Sequence, residues 1–106
     1  MVREVAPQEL KAEIDAGRAP RMLDVREGWE LEISRLAGAQ HIPMNEVPER
    51  LAELDANQPL LVLCRSGGRS LRVAQFLEQQ GFARVSNLTG GILAWGELID
   101  PSLRPY

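Results

Sequence analysis

The stretch PLLVLCRSGGRS, residues 59–70, decides the fold of this 106-residue chain. Its first half ends at Cys64 and is a continuous apolar run with a proline before it and glycines after it, which is typical of a strand buried on both faces. Its second half is polar and leads into a helical pattern over Ser70–Gln80, in which Val73 and Leu77 share one face. The stretch therefore predicts a buried strand, a tight loop and a helix in succession.

The same alternation of strand and helix patterns continues through the rest of the chain. Further strands are predicted at Val2–Val5, Arg21–Val25, His41–Pro43 and Arg84–Asn87, and further helical segments between Pro7 and Gly17, within Glu27–Ile33, at Pro48–Leu54 and from Gly90 through Trp95. Strands that alternate with helices imply an α/β fold with a mostly parallel sheet covered on both sides. Ligands of such sheets bind at the carboxyl ends of the strands, and Cys64 lies at one of these ends.

The composition is that of an ordinary globular protein, 44% hydrophobic and 25% charged, with a formal net charge of −3. A nucleic-acid or anionic-membrane binder would need a positive field, so neither partner is expected. No apolar run is long enough to cross a membrane, and the N-terminal residues lack the apolar region of a signal peptide. We therefore expect one domain over residues 1–106, in the cytoplasm.

The chain has one cysteine, Cys64, and one histidine, His41, which excludes an internal disulfide and an ordinary zinc site. A cysteine hydrolase would pair the two residues, but His41 precedes Ile42-Pro43 at a predicted strand end and no Asn or Asp signature orients it. A structural or surface histidine is the better interpretation. Trp29 and Trp95 are expected to pack in or against the core.

A lone cysteine is more often a small buried hydrophobe than a nucleophile, by roughly four to one. The residues that follow Cys64 reverse these odds. Gly67 and Gly68 allow a tight loop whose N–H groups point inward, and the loop runs into a helix N-terminus that also favours negative charge. Arg65 and Arg69 add formal positive charge. The anion held there is then the thiolate of the cysteine, so the pKa of the thiol should be lowered.

Four stretches of the chain resemble the rhodanese family, in the expected order and spacing. They are Leu23–Glu27, Gly38-Ala39 with Ile42-Pro43, Cys64–Ser70, and Gly90–Trp95. The resemblance to single-domain rhodanese-like (thiosulfate sulfurtransferase) proteins implies a five-stranded parallel sheet flanked by helices on both faces. It also implies sulfur transfer through a cysteine persulfide held by the amides of the loop. We expect no metal and no cofactor.

By this resemblance, Cys64 corresponds to the nucleophile that accepts sulfur. The expected active-site loop and substrate-binding residues are Arg65, Ser66, Gly67, Gly68, Arg69 and Ser70. Arg69 is expected to be an exposed loop arginine that binds an anionic donor and contributes little to folding.

Two other matched segments are expected to be structural. Asp24 and Arg26 should form a buried pair, and the closing motif around Gly91 should pack rather than react. The chain departs from its relatives at Ser34-Arg35, where many have Gly-His, so no histidine role is expected there.

The expected enzyme is of the thiosulfate sulfurtransferase type. The Cys64 thiolate attacks a small-molecule donor such as thiosulfate, and cyanide, a thiol or a sulfur-relay protein then collects the sulfur. A cysteine-loop phosphatase or arsenate reductase is the first alternative. Such enzymes have five residues between the cysteine and its arginine, whereas this chain has four between Cys64 and Arg69. A non-catalytic interaction module is the second, against which the intact cysteine and loop argue.

Overall fold

A five-stranded sheet forms the centre of the fold, which is described over residues 1–106 by a computed structural model. The elements are β1 (Arg3–Val5), α1 (Pro7–Asp15), β2 (Arg21–Asp24), α2 (Gly28–Ile33), β3 (Gln40–His41), a 3₁₀ helix (Met44–Glu53), β4 (Leu60–Leu63), α3 (Gly68–Gln79), β5 (Val85–Leu88) and α4 (Gly91–Leu98). The strand order is β1-β5-β4-β2-β3, and every neighbouring pair is parallel. The predicted five-stranded parallel α/β sheet is confirmed.

Strand β4 lies in the middle of the sheet, and all four of its residues are buried. Leu61 and Leu63 belong to the core on the side of α1 and α4, whereas Leu60 and Val62 belong to the core on the side of α3. Since side chains alternate along a strand, Cys64 emerges on the same side as Leu60 and Val62, towards α3. The register of β4 therefore decides which helix the cysteine meets.

Two helical segments differ from their predicted bounds for reasons of backbone geometry. Helix α3 begins at Gly68, two residues earlier than predicted, because Gly67 has a left-handed φ of 109° and turns the loop directly into the helix. The segment predicted as a helix over Pro48–Leu54 is part of the 3₁₀ helix. Pro48 has no N–H to donate, and Arg50 leaves helical geometry at φ −117°.

None of the helices combines the length and the apolar character that crossing a membrane requires.

Candidate active site

The Cys64 sulfur lies just beyond the end of β4, beneath the first turn of α3. The Gly67 N–H donates to Sγ at 3.1 Å, and the N–H and hydroxyl of Ser70 approach it at 3.4 and 3.3 Å. The residue is only 1% exposed, so these loop groups rather than water solvate the sulfur. The loop that follows β4 therefore surrounds one sulfur atom with hydrogen-bond donors.

These donors favour the thiolate form of Cys64. Burial raises the pKa of its thiol, but hydrogen bonds from the Ser70 hydroxyl and from the N–H groups of Ser70, Gly67 and Ser66 lower it, and the pKa falls below its ordinary value. The direction is the one predicted from the sequence. The sequence predicted that loop N–H groups, the helix N-terminus and the arginines would together lower this pKa. In the structure the lowering comes mainly from the N–H groups and the Ser70 hydroxyl of the loop.

A buried hydrogen-bond chain ties the loop to β5. The Ser70 Oγ lies 2.5 Å from Asn87 Oδ1, and Asn87 Nδ2 donates to the Gly67 carbonyl at 3.3 Å and to the Glu4 carboxylate at 3.1 Å. Ser70 has one hydroxyl proton, so it donates either to Asn87 or to the sulfur. Sequence reasoning missed Asn87 and Glu4 because a strand residue and an exposed acid carry no signal of this pairing.

The first turn of α4 supports the loop from its other side. The N–H groups of Ile92 and Leu93 donate to the carbonyls of Cys64 and Arg65 at 2.9 and 3.1 Å. Gly91 has a φ of 63°, and a Cβ on it would lie 2.4 Å from the Arg65 carbonyl oxygen. The paired glycines of the closing motif therefore permit a close backbone contact, in agreement with a packing role.

Arg69 is not the exposed loop arginine that the sequence predicted. Its Nη1 and Nη2 donate to the two carboxylate oxygens of Glu30 at 2.7 and 2.9 Å. The Glu30 side chain is 3% exposed and that of Arg69 is 30% exposed. The expected exposed, unpaired Arg69 is therefore wrong. Because its removal would leave a buried carboxylate without its partner, we now expect Arg69 to contribute more to folding than an exposed arginine. Glu30 lies in a segment whose pattern indicated only helical turns, and sequence reasoning missed it.

Aromatic residues cover the side chain of Arg65. The Arg65 guanidinium carbon lies 4.6 Å from the centre of the Tyr106 ring, and the Trp29 ring lies 5.1 Å from that ring. Trp95 is in the core, as predicted, but the prediction for Trp29 is wrong because 53% of its surface is exposed.

Asp24, Arg26 and His41 have structural roles. The Arg26 guanidinium donates to the Asp24 carboxylate at 2.8 Å, both side chains are almost fully buried, and Arg26 also donates to the Ser34 carbonyl. His41 Nε2 lies 2.6 Å from the Arg26 carbonyl oxygen, in hydrogen-bond contact with it rather than with Cys64. Arg35, at the position where relatives often have histidine, is exposed.

Comparison with known proteins assigns the chain to a family. The model of the rhodanese-like domain matches residues 6–98. The chain belongs to the rhodanese-like domain family. YtwF of Bacillus subtilis is 37% identical over 94 residues, which cover 89% of this chain and 90% of that protein. A protein named sulfurtransferase from Allochromatium vinosum is 32% identical over 105 residues, covering 99% of this chain and 98% of that one.

Solved structures and longer relatives agree with this assignment. The crystal structure of SSP1007 from Staphylococcus saprophyticus has a TM-score of 0.86 at 33% identity, over 97% of this chain and 99% of that one. Some relatives are much longer, and the chain spans 22% of the maize protein named adenylyltransferase and sulfurtransferase MOCS3-2.

The loop of this rhodanese-like domain places its predicted site residues in three different environments. Ser66, Gly67 and Ser70 direct donors at the sulfur, Gly68 begins α3, and the side chains of Arg65 and Arg69 are bound by other parts of the protein. No group of three or more His, Cys, Asp and Glu side chains is placed to hold a metal ion. The arrangement can stabilise a negative charge on sulfur, and on any atom bonded to it, without a separate base.

Proposed function

We propose that this rhodanese-like domain is a sulfurtransferase that carries sulfur as a persulfide on Cys64. The thiolate forms a bond to the outer sulfur of a donor such as thiosulfate, whose S–S bond breaks, and sulfite leaves with the electron pair. A thiol or cyanide then takes the outer sulfur and regenerates the thiolate. Such double displacement predicts ping-pong kinetics.

The cradle of donors around the Cys64 sulfur carries this proposal. A persulfide places a negative charge on a second sulfur bonded to the first, and the N–H groups of Gly67 and Ser70 are directed at the first sulfur, at the start of a loop rich in further N–H donors. The relatives named sulfurtransferases support the same class of reaction. We further propose that the chain works as one domain over residues 1–106 in the cytoplasm, passing sulfur to a small thiol or a relay protein.

Intact mass spectrometry tests the reaction class directly. Incubation with thiosulfate should add one sulfur atom to the protein, and a reducing thiol should remove it. The chain has a single cysteine, so Cys64→Ser is an unambiguous control that should fold normally and gain no mass. A mass gain that persists in Cys64→Ser would contradict the assignment, as would hydrolysis of a chromogenic phosphate ester by a wild-type protein that takes up no sulfur.

A further inference from the structure

Two arginines at the Cys64 loop, Arg69 and Arg26, are neutralised by carboxylates of the same chain. Glu30 binds both terminal nitrogens of Arg69, and Asp24 binds Arg26. Arg65 lies over the Tyr106 ring and has no salt bridge, so no carboxylate neutralises its positive charge. The loop is therefore less cationic than its sequence indicates.

The carboxylate of Glu30 is held firmly in its position. The Glu30 carboxylate accepts two hydrogen bonds from Arg69. Its Oε1 also accepts one from the Glu27 N–H at 3.0 Å, and this bond closes the N-terminal turn of α2. The Glu30 side chain is 3% exposed, whereas that of Arg69 is 30% exposed, so the carboxylate is shielded from water although the guanidinium is only partly so. Because the pair is bidentate and its carboxylate is buried, an incoming anion would have to leave that carboxylate unpaired in order to take Arg69 from it.

Sulfur donors differ in the charge that they bring to this loop. Thiosulfate carries two negative charges and releases the sulfite dianion, whereas the persulfide of a small, otherwise uncharged thiol such as 2-mercaptoethanol carries at most one. In the second case the Cys64 thiolate bonds to the outer sulfur of R–S–SH, the S–S bond breaks, R–S⁻ leaves with the electron pair, and the proton stays on the new persulfide. This step needs no external oxidant or reductant.

We propose that Glu30 is a specificity-determining residue which, by neutralising Arg69, makes the site favour persulfides of small thiols over thiosulfate as sulfur donors. This inference rests on the proposed sulfur transfer and names the donor class for it. Glu30 acts through Arg69 and is a positioning residue rather than a catalytic one. If the carboxylate loses its charge while keeping its shape, Arg69 regains a positive charge beside the donor.

Steady-state kinetics on the full chain test the inference, with cyanide as acceptor and with either thiosulfate or the persulfide of 2-mercaptoethanol as donor. Wild type should show the higher kcat/KM with the persulfide, after subtraction of the uncatalysed rate. Glu30→Gln should raise kcat/KM for thiosulfate by about three- to tenfold, most strongly at low salt, and change the persulfide value by less than about twofold. The double variant Glu30→Gln with Arg69→Gln removes the released charge, so the thiosulfate gain should disappear.

The outcomes separate this inference from the function on which it rests. A wild type that prefers thiosulfate, or a Glu30→Gln variant that loses activity equally with both donors, would overturn the specificity role. If the variant does not fold, as seen by circular dichroism, the donor preference of wild type decides the question alone. A wild type that accepts sulfur from neither donor would refute sulfur transfer itself.

Discussion

Replacement of Gly91 by alanine should damage the active-site loop without touching any reacting atom. Gly91 is the first residue of α4 and lies where this helix meets the backbone of the loop, at a φ of 63°. A Cβ there would approach the carbonyl oxygens of Arg65 and Cys64 to 2.4 and 2.6 Å. Both carbonyls accept N–H groups from α4, so neither can move away without losing a hydrogen bond.

The expected cost is the sum of two effects. Left-handed backbone costs alanine about 1–2 kcal/mol, and forcing a methyl group into packed backbone costs about 1–3 kcal/mol more. Together they remove about 2–5 kcal/mol from a stability that is typically about 5–15 kcal/mol. With a shift of about 4–8 °C per kcal/mol for a domain near this size, Tm should fall by roughly 8–40 °C.

Two other glycines separate the effects in the same thermal melts. Gly17→Ala has a φ of 75° but nothing within 4 Å of its Cβ, so it should show the backbone cost alone. Gly68→Ala has neither positive φ nor a close neighbour and should be neutral or slightly stabilising. If Gly91→Ala melts within a few degrees of Gly17→Ala, the close contact between α4 and the loop does not constrain the fold, and the reasoning is refuted.

Two further predictions concern the loop itself. The alkylation rate of Cys64, measured against pH, should have its midpoint below the ordinary thiol value of about 8.5. Ser70→Ala should raise that midpoint because it removes a hydrogen-bond donor to the thiolate. An unchanged midpoint would show that the Ser70 hydroxyl donates to Asn87 alone. Arg69→Ala should destabilise the fold by about 1–3 kcal/mol, because it leaves the Glu30 carboxylate buried and unpaired. Arg50→Ala breaks exposed pairs with Glu46 and Glu53, so it should lower Tm much less in parallel melts. An equal loss in the two variants would argue against a special role for the Glu30 pair.

Local patterns predicted the elements that carry the chemistry. The apolar run before Cys64 predicted a strand buried on both faces, and Gly67 predicted the tight entry into α3. The bounds of the 3₁₀ helix were less predictable, because Leu51 and Leu54 have helical spacing although Pro48 and Arg50 prevent a regular α-helix.

The sequence alone determined the parallel α/β fold, the position of Cys64 at a strand end, and the lowered pKa of its thiol, since each follows from neighbours within a few residues. Only the tertiary structure decided the electrostatics of the site. Glu30 is 39 positions from Arg69, and Glu4 is 83 positions from Asn87, so no local pattern indicates either contact. Residues this far apart meet only when the sheet brings their elements together, and a charge that appears free in the sequence can then be neutralised by a distant carboxylate.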